Sequence, residues 1–139
     1  MTADGSSVVL RNDVAELPRA HEALHAFLRE RGAGPGLVFD ADLVLEEIVT
    51  NLVKYGWPDG GDHRITFTFE EVDGELVLRF EDDGAPFDPR SAPRPVFPEA
   101  LELRRPGGLG LHLVRSTARR IAYRSEDGVN HLEVVLPLR

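Results

Sequence analysis

Hydrophobic positions along the chain follow two periods. Over residues 14–31, Leu17, Ala20, Leu24, Phe27 and Leu28 recur at three- and four-residue steps, which predicts an amphipathic helix that Asn12 or Asp13 can cap. The run Gly32-Ala33-Gly34-Pro35-Gly36 ends it. A second helix is predicted from about Asp40 to Tyr55, with Ala41, Leu45, Ile48, Val49 and Leu52 on its apolar stripe, stopped by Gly56-Trp57-Pro58. The period then changes to two. Ile65, Phe67 and Phe69 alternate with Arg64, Thr66, Thr68 and Glu70, and Leu76, Leu78 and Phe80 repeat the pattern. Asp73-Gly74 between these runs predicts a two-residue hairpin turn, in which both central residues need positive φ. Asp127-Gly128 predicts a second, joining strands at 121–125 and 131–138. Residues 6–11 are short and β-favouring, and 109–120 read as a helix with a glycine-rich start. Between them, residues 84–107 hold six of the ten prolines, which rules out a central strand or a long helix there.

The order is strand, two helices, hairpin, long loop, helix, hairpin. It predicts an α+β fold: a single domain over 1–139 forming a two-layer sandwich, with helices on one face of a largely antiparallel sheet. Composition agrees, since 42% hydrophobic residues in a chain of 139 can supply a packed core. A net charge of −8 argues against general nucleic-acid binding, because the chain repels phosphates at long range. The absence of cysteine excludes disulfide and thiolate chemistry. No run of 18 apolar residues suggests a membrane span, and residues 1–10 lack the basic and apolar regions of a secretory signal. A soluble cytoplasmic protein is expected.

Three segments carry candidate chemistry. Glu47, Asn51 and Lys54 are spaced i, i+4, i+7, so they share one stripe of the second helix, nearly opposite its apolar stripe. A solvated helix face accounts for such a stripe. So does the edge of a phosphate pocket, with a carboxylate to deprotonate a nucleophile, an amide oxygen for Mg²⁺ and a cation for phosphate. Asp82-Asp83-Gly84 closes a strand; it is either a tight turn or a carboxylate that accepts from the exocyclic amine of a base, with Gly84 admitting the ring. Gly107-Gly108-Leu109-Gly110 opens a helix, either as a hinge or as a set of free N–H groups for phosphate. It is neither a Walker loop nor a Rossmann fingerprint. Arg104 and Arg105, just before it, are either solvated or able to swing onto a γ-phosphate. His21-Glu22-Ala23-Leu24-His25 matches the zinc-protease pattern, but no third ligand has a recognisable spacing. An amphipathic helix with two boundary histidines is the expectation there.

Together, Glu47-x-x-x-Asn51, Asp82-x-Gly84 and Gly108-Leu109-Gly110, in this order, resemble the three boxes of the Bergerat-fold (GHKL) ATPase superfamily. The Pro86-Phe87-Asp88-Pro89 continuation resembles the branch of small anti-sigma-factor serine/threonine kinases. The resemblance runs over roughly residues 8–138. It implies ATP and Mg²⁺ as cofactors and an ATP lid at about 84–107. It implies Glu47 as general base, Asn51 as Mg²⁺ ligand and Asp82 as adenine contact. Gly84 is implied to admit the base, and Gly108 and Gly110 the phosphates. The implied function is phosphorylation of a STAS-type anti-sigma-factor antagonist alternating with sequestration of a sigma factor, in a homodimer without nucleic-acid or membrane partners. The alternative is a catalytically weak ATP-binding module that regulates by protein binding only.

Overall fold

Two Asp-Gly turns fix the sheet. Asp73 and Gly74 have φ of 49° and 77°, and Asp127 and Gly128 have 54° and 79°, so both pairs adopt the left-handed geometry expected of them. The computed structural model describes residues 5–91 and 108–138. Its elements are β1 (Gly5–Arg11), a 3₁₀ turn (Val14–Glu16), α1 (Leu17–Glu30), α2 (Pro35–Tyr55), β2 (Arg64–Val72), β3 (Glu75–Asp82), a second 3₁₀ turn (Pro89–Ser91), α3 (Gly108–Thr117), β4 (Arg120–Glu126) and β5 (Val129–Pro137). The strands form one sheet in the order β1-β2-β3-β5-β4, and each neighbouring pair is antiparallel.

Asp13 starts the first helical segment by accepting from the Ala15 N–H at 2.9 Å. α2 begins five residues earlier than the predicted Asp40. Gly34 is its extended N-cap (φ −77°, ψ 168°) and Pro35 sits in the first turn, where a proline loses no hydrogen bond and its fixed φ suits the helix. The glycine-proline run that ends α1 therefore also launches α2.

All three helices pack on one sheet face. Leu24 and Leu28 of α1, Val44, Leu45 and Ile48 of α2, and Leu111 and Val114 of α3 join Phe67, Phe69, Leu78 and Val134 in one buried cluster. Each large side chain buried there contributes about 1.5–3 kcal/mol relative to exposure. The opposite sheet face carries Thr66, Thr68, Arg79 and Glu133, with Arg79 bridging Glu70 and Glu133 across strands. Among the described residues, no helix is long and apolar enough to cross a membrane.

Candidate active site

Burying a polar side chain is costly unless it is partnered or used. Among the described residues, the buried polar and charged side chains are Asn51, Asp82 and Asn130, and all three line one cavity. The cavity lies between α2, the ends of β3 and β5, and the start of the proline-rich segment. Ile48, Leu52, Phe80, Phe87 and Leu132 give it apolar walls. At about 190 Å³ it falls below the roughly 300 Å³ of pockets that enclose a drug-sized ligand, so it suits one planar ring with the remainder outside.

Strand alternation places the acid. Leu76, Leu78 and Phe80 point into the core, and Asp82 continues their phase past the last large apolar residue. Asp83, just past the end of β3, accepts from Trp57 Nε1 at 3.0 Å and lies 3.4 Å from His63 Nδ1. Trp57 is buried at the end of α2 and stacks on the His63 ring at 4.9 Å. Burial pushes the Asp82 carboxyl above its usual range, against the opposing hydrogen bonds from Asn130 and the Gly84 backbone.

The β3–β5 register sets Asn130 opposite Asp82. Asn130 Nδ2 donates to Asp82 Oδ1 at 2.9 Å and to the Gly84 carbonyl at 2.8 Å. The Tyr123 hydroxyl donates to Asn130 Oδ1 at 3.2 Å and accepts from the Phe87 N–H at 3.1 Å. A carboxylate offers about four acceptor positions, so Asp82 keeps capacity for a donor inside the cavity. Neither Asn130 nor Tyr123 was among the sequence candidates. The available signal was phase: Asn130 precedes Leu132, Val134 and Leu136 on the same inward face of β5, a polar residue at a core position.

On α2, Asn51 Nδ2 donates to the Glu47 carbonyl one turn back at 2.6 Å. That bond fixes the amide and leaves its oxygen as the atom turned away from the helix backbone, at the cavity wall. Glu47 is half-buried. Burial, then the neighbouring Glu46 carboxylate, push its carboxyl up, while Lys54 opposes them. Lys54 itself is exposed and does not line the cavity.

The glycines serve the protein's own packing. A Cβ on Gly84 would lie 2.7 Å from the Gly56 carbonyl oxygen, which accepts from the Ala85 N–H at 2.7 Å, so β3 leaves the sheet in contact with the end of α2. A Cβ on Gly110 would lie 1.7 Å from Glu47 Oε1, so the first turn of α3 rests against the Glu47 carboxylate. Gly108 opens α3. Arg104 and Arg105 lie outside the described residues.

These residues test well for Mg-ATP. A buried acceptor among apolar walls matches an exocyclic amine on a flat ring, and an amide oxygen pinned by its own Nδ2 matches a hard cation that shares oxygen ligands with phosphate. Fold and cavity together define a two-layer α+β domain with a ring-sized polar-floored pocket. Residues 10–136 match the histidine kinase-like ATPase domain, and the chain belongs to that family. It is 33% identical over 108 residues to the serine/threonine-protein kinase BtrW of Bordetella bronchiseptica, covering 78% of this chain and 75% of that one. It is 30% identical over 95 residues to the serine-protein kinase RsbW of Staphylococcus aureus, covering 65% of this chain and 60% of that one. The fold is also that of the histidine kinase domain of the blue-light activated histidine kinase from Erythrobacter litoralis, with a TM-score of 0.57 at 19% identity over 89% of this chain and 60% of that one.

Proposed function

We propose that the chain is an ATP-dependent protein serine/threonine kinase that phosphorylates an anti-sigma-factor antagonist and alternately sequesters a sigma factor. One observation carries the nucleotide part: the three buried polar side chains converge on a single ring-sized cavity. The kinase part is supported by the names of the relatives and by Glu47, a half-buried carboxylate that binding alone does not need. The sigma-factor part rests on the resemblance of the three boxes and of Pro86-Phe87-Asp88-Pro89.

In this reading Asp82 accepts the exocyclic amine of adenine, and Asn130 holds the carboxylate in place. Asn51 Oδ1 is a ligand for Mg²⁺. Glu47 takes the proton from the substrate serine or threonine hydroxyl. Mg-ATP supplies the electrophilic γ-phosphoryl group, and the protein's work is positioning and charge compensation. Lys54, Arg104, Arg105, Gly108 and Gly110 are assigned to the phosphate end. The assembly is a homodimer.

The test is capture of candidate antagonist and sigma proteins with and without ATP, followed by transfer of radiolabelled γ-phosphate. Wild-type protein should label a serine or threonine of the antagonist. Glu47→Ala should bind ATP with near wild-type affinity and lose transfer by about 10²-fold or more. Nucleotide binding without any transfer by the wild type would leave a regulatory module in place of a kinase. Full transfer by Glu47→Ala would remove Glu47 as the base.

A further inference from the structure

The two histidines on α1 do not face solvent alone. Asp42, on α2, stands opposite both. His21 Nδ1 lies 2.6 Å from Asp42 Oδ1, and His25 Nε2 lies 2.7 and 2.8 Å from the two Asp42 oxygens. The three ligand atoms all fall within 4.8 Å of one another. The missing third group of the His-x-x-x-His pair therefore comes from the neighbouring helix, seventeen residues after His25, where no local spacing reveals it.

His21 is also held on its far side. The other nitrogen of His21, Nε2, lies 2.9 Å from Glu46 Oε1. With a metal on Nδ1, the remaining N–H sits on Nε2 and donates to Glu46. That is the usual outer-shell arrangement of a metal-bound histidine. The groups are part-exposed, at 21% for His21, 36% for His25 and 31% for Asp42, which leaves a coordination position open to water. Two imidazoles and a carboxylate suit zinc, for which tetrahedral bonds of about 2.1 Å set ligand atoms roughly 3.4 Å apart. Asp42 and the rings need to separate by less than about 1 Å to reach that spacing, within ordinary side-chain motion.

We propose that His21 Nδ1, His25 Nε2 and Asp42 form a zinc site that clips α1 to α2, with Glu46 orienting His21. The site lies apart from the cavity, one turn before Glu47 on the same helix, and holds that helix at its α1 side. It requires neither kinase activity nor nucleotide binding.

The experiment uses the full chain, stripped with chelator and free of nucleotide. Zinc alone is titrated by calorimetry and by thermal unfolding. One equivalent should bind, and Tm should rise by about 5 °C when free zinc is about ten times Kd. Magnesium at the same concentration should leave Tm unchanged. His25→Gln and Asp42→Asn should each abolish the zinc-dependent rise, with their own metal-free Tm reporting that they fold. Asn51→Ala should retain the rise, which separates this site from the cavity. Zinc-edge X-ray absorption should show two imidazole nitrogens. Absence of one-to-one binding by the wild type overturns the proposal, as does a rise that survives in the His25→Gln/Asp42→Asn double variant.

Discussion

Asp82 combines two opposed properties. Its folded-state carboxyl is raised by burial, so at pH above its ordinary range the folded protein binds more protons there than the unfolded chain does. Stability from this group therefore falls as pH rises from the ordinary aspartate pKa through the raised one, and an ionised Asp82 opposes folding at neutral pH. Asp82→Asn should unfold at the same or a higher temperature than wild type at pH 7, yet bind ATP roughly 10- to 100-fold more weakly, the size of a charge-assisted hydrogen bond. Calorimetry on the same sample reads both, and wild-type ATP affinity would remove the adenine assignment. For Glu47, a base must be ionised, so transfer should increase as pH rises through its raised pKa. Lys54 holds that pKa down from outside the cavity. Lys54→Ala should move the acid limb of the kcat profile to higher pH; an unmoved limb would mean another group sets it.

At the level of elements, the joint between β3 and α2 tolerates little change. The Gly84 Cβ position meets backbone, which cannot rotate away as a side chain can. Gly84→Ala should cost about 1–3 kcal/mol in urea unfolding, besides any effect on nucleotide. Much of this architecture was legible beforehand. Both Asp-Gly turns, the alternation of β2 and β3 and the apolar stripe of α1 are local signals, and each reappears in the structure. The start of α2 was not, because Gly34-Pro35 reads equally as a stop and as a cap followed by a first-turn proline. Asp82 was singled out from box spacing alone, although the phase of Leu76, Leu78 and Phe80 also carries it to the buried side. Asn130 and Asp42 were not singled out, since each acquires its partner only through pairing of distant elements: β5 on β3, and α2 on α1.

Across the whole molecule, the stretch 92–107 is flanked by two separate anchorages. Before it, the Phe87 N–H joins the Tyr123–Asn130–Asp82 chain at the ring end of the cavity. After it, Gly110 presses on Glu47. Among the described residues no hydrogen bond joins the two, so their substitutions should add. Tyr123→Phe should weaken nucleotide binding several-fold with little change in the transfer step. Gly110→Ala should displace the Glu47 carboxylate and slow transfer by a larger factor than it weakens nucleotide binding. In the double variant the losses in kcat/KM should multiply to within about twofold, which corresponds to additivity within about 0.5 kcal/mol. A large departure would show that the two anchorages act as one unit.

That separation has an evolutionary consequence. In the proposed reading, nucleobase preference and phosphotransfer can drift separately, because among the described residues Glu47, which Gly110 meets, makes no hydrogen bond to the Tyr123–Asn130–Asp82 chain. In that reading, one substitution at the start of α3 would slow the chemistry more than it weakens nucleotide binding, leaving a nucleotide-responsive binding protein. A lineage could thus pass from enzyme to pure regulator in one step, without crossing an unfolded intermediate.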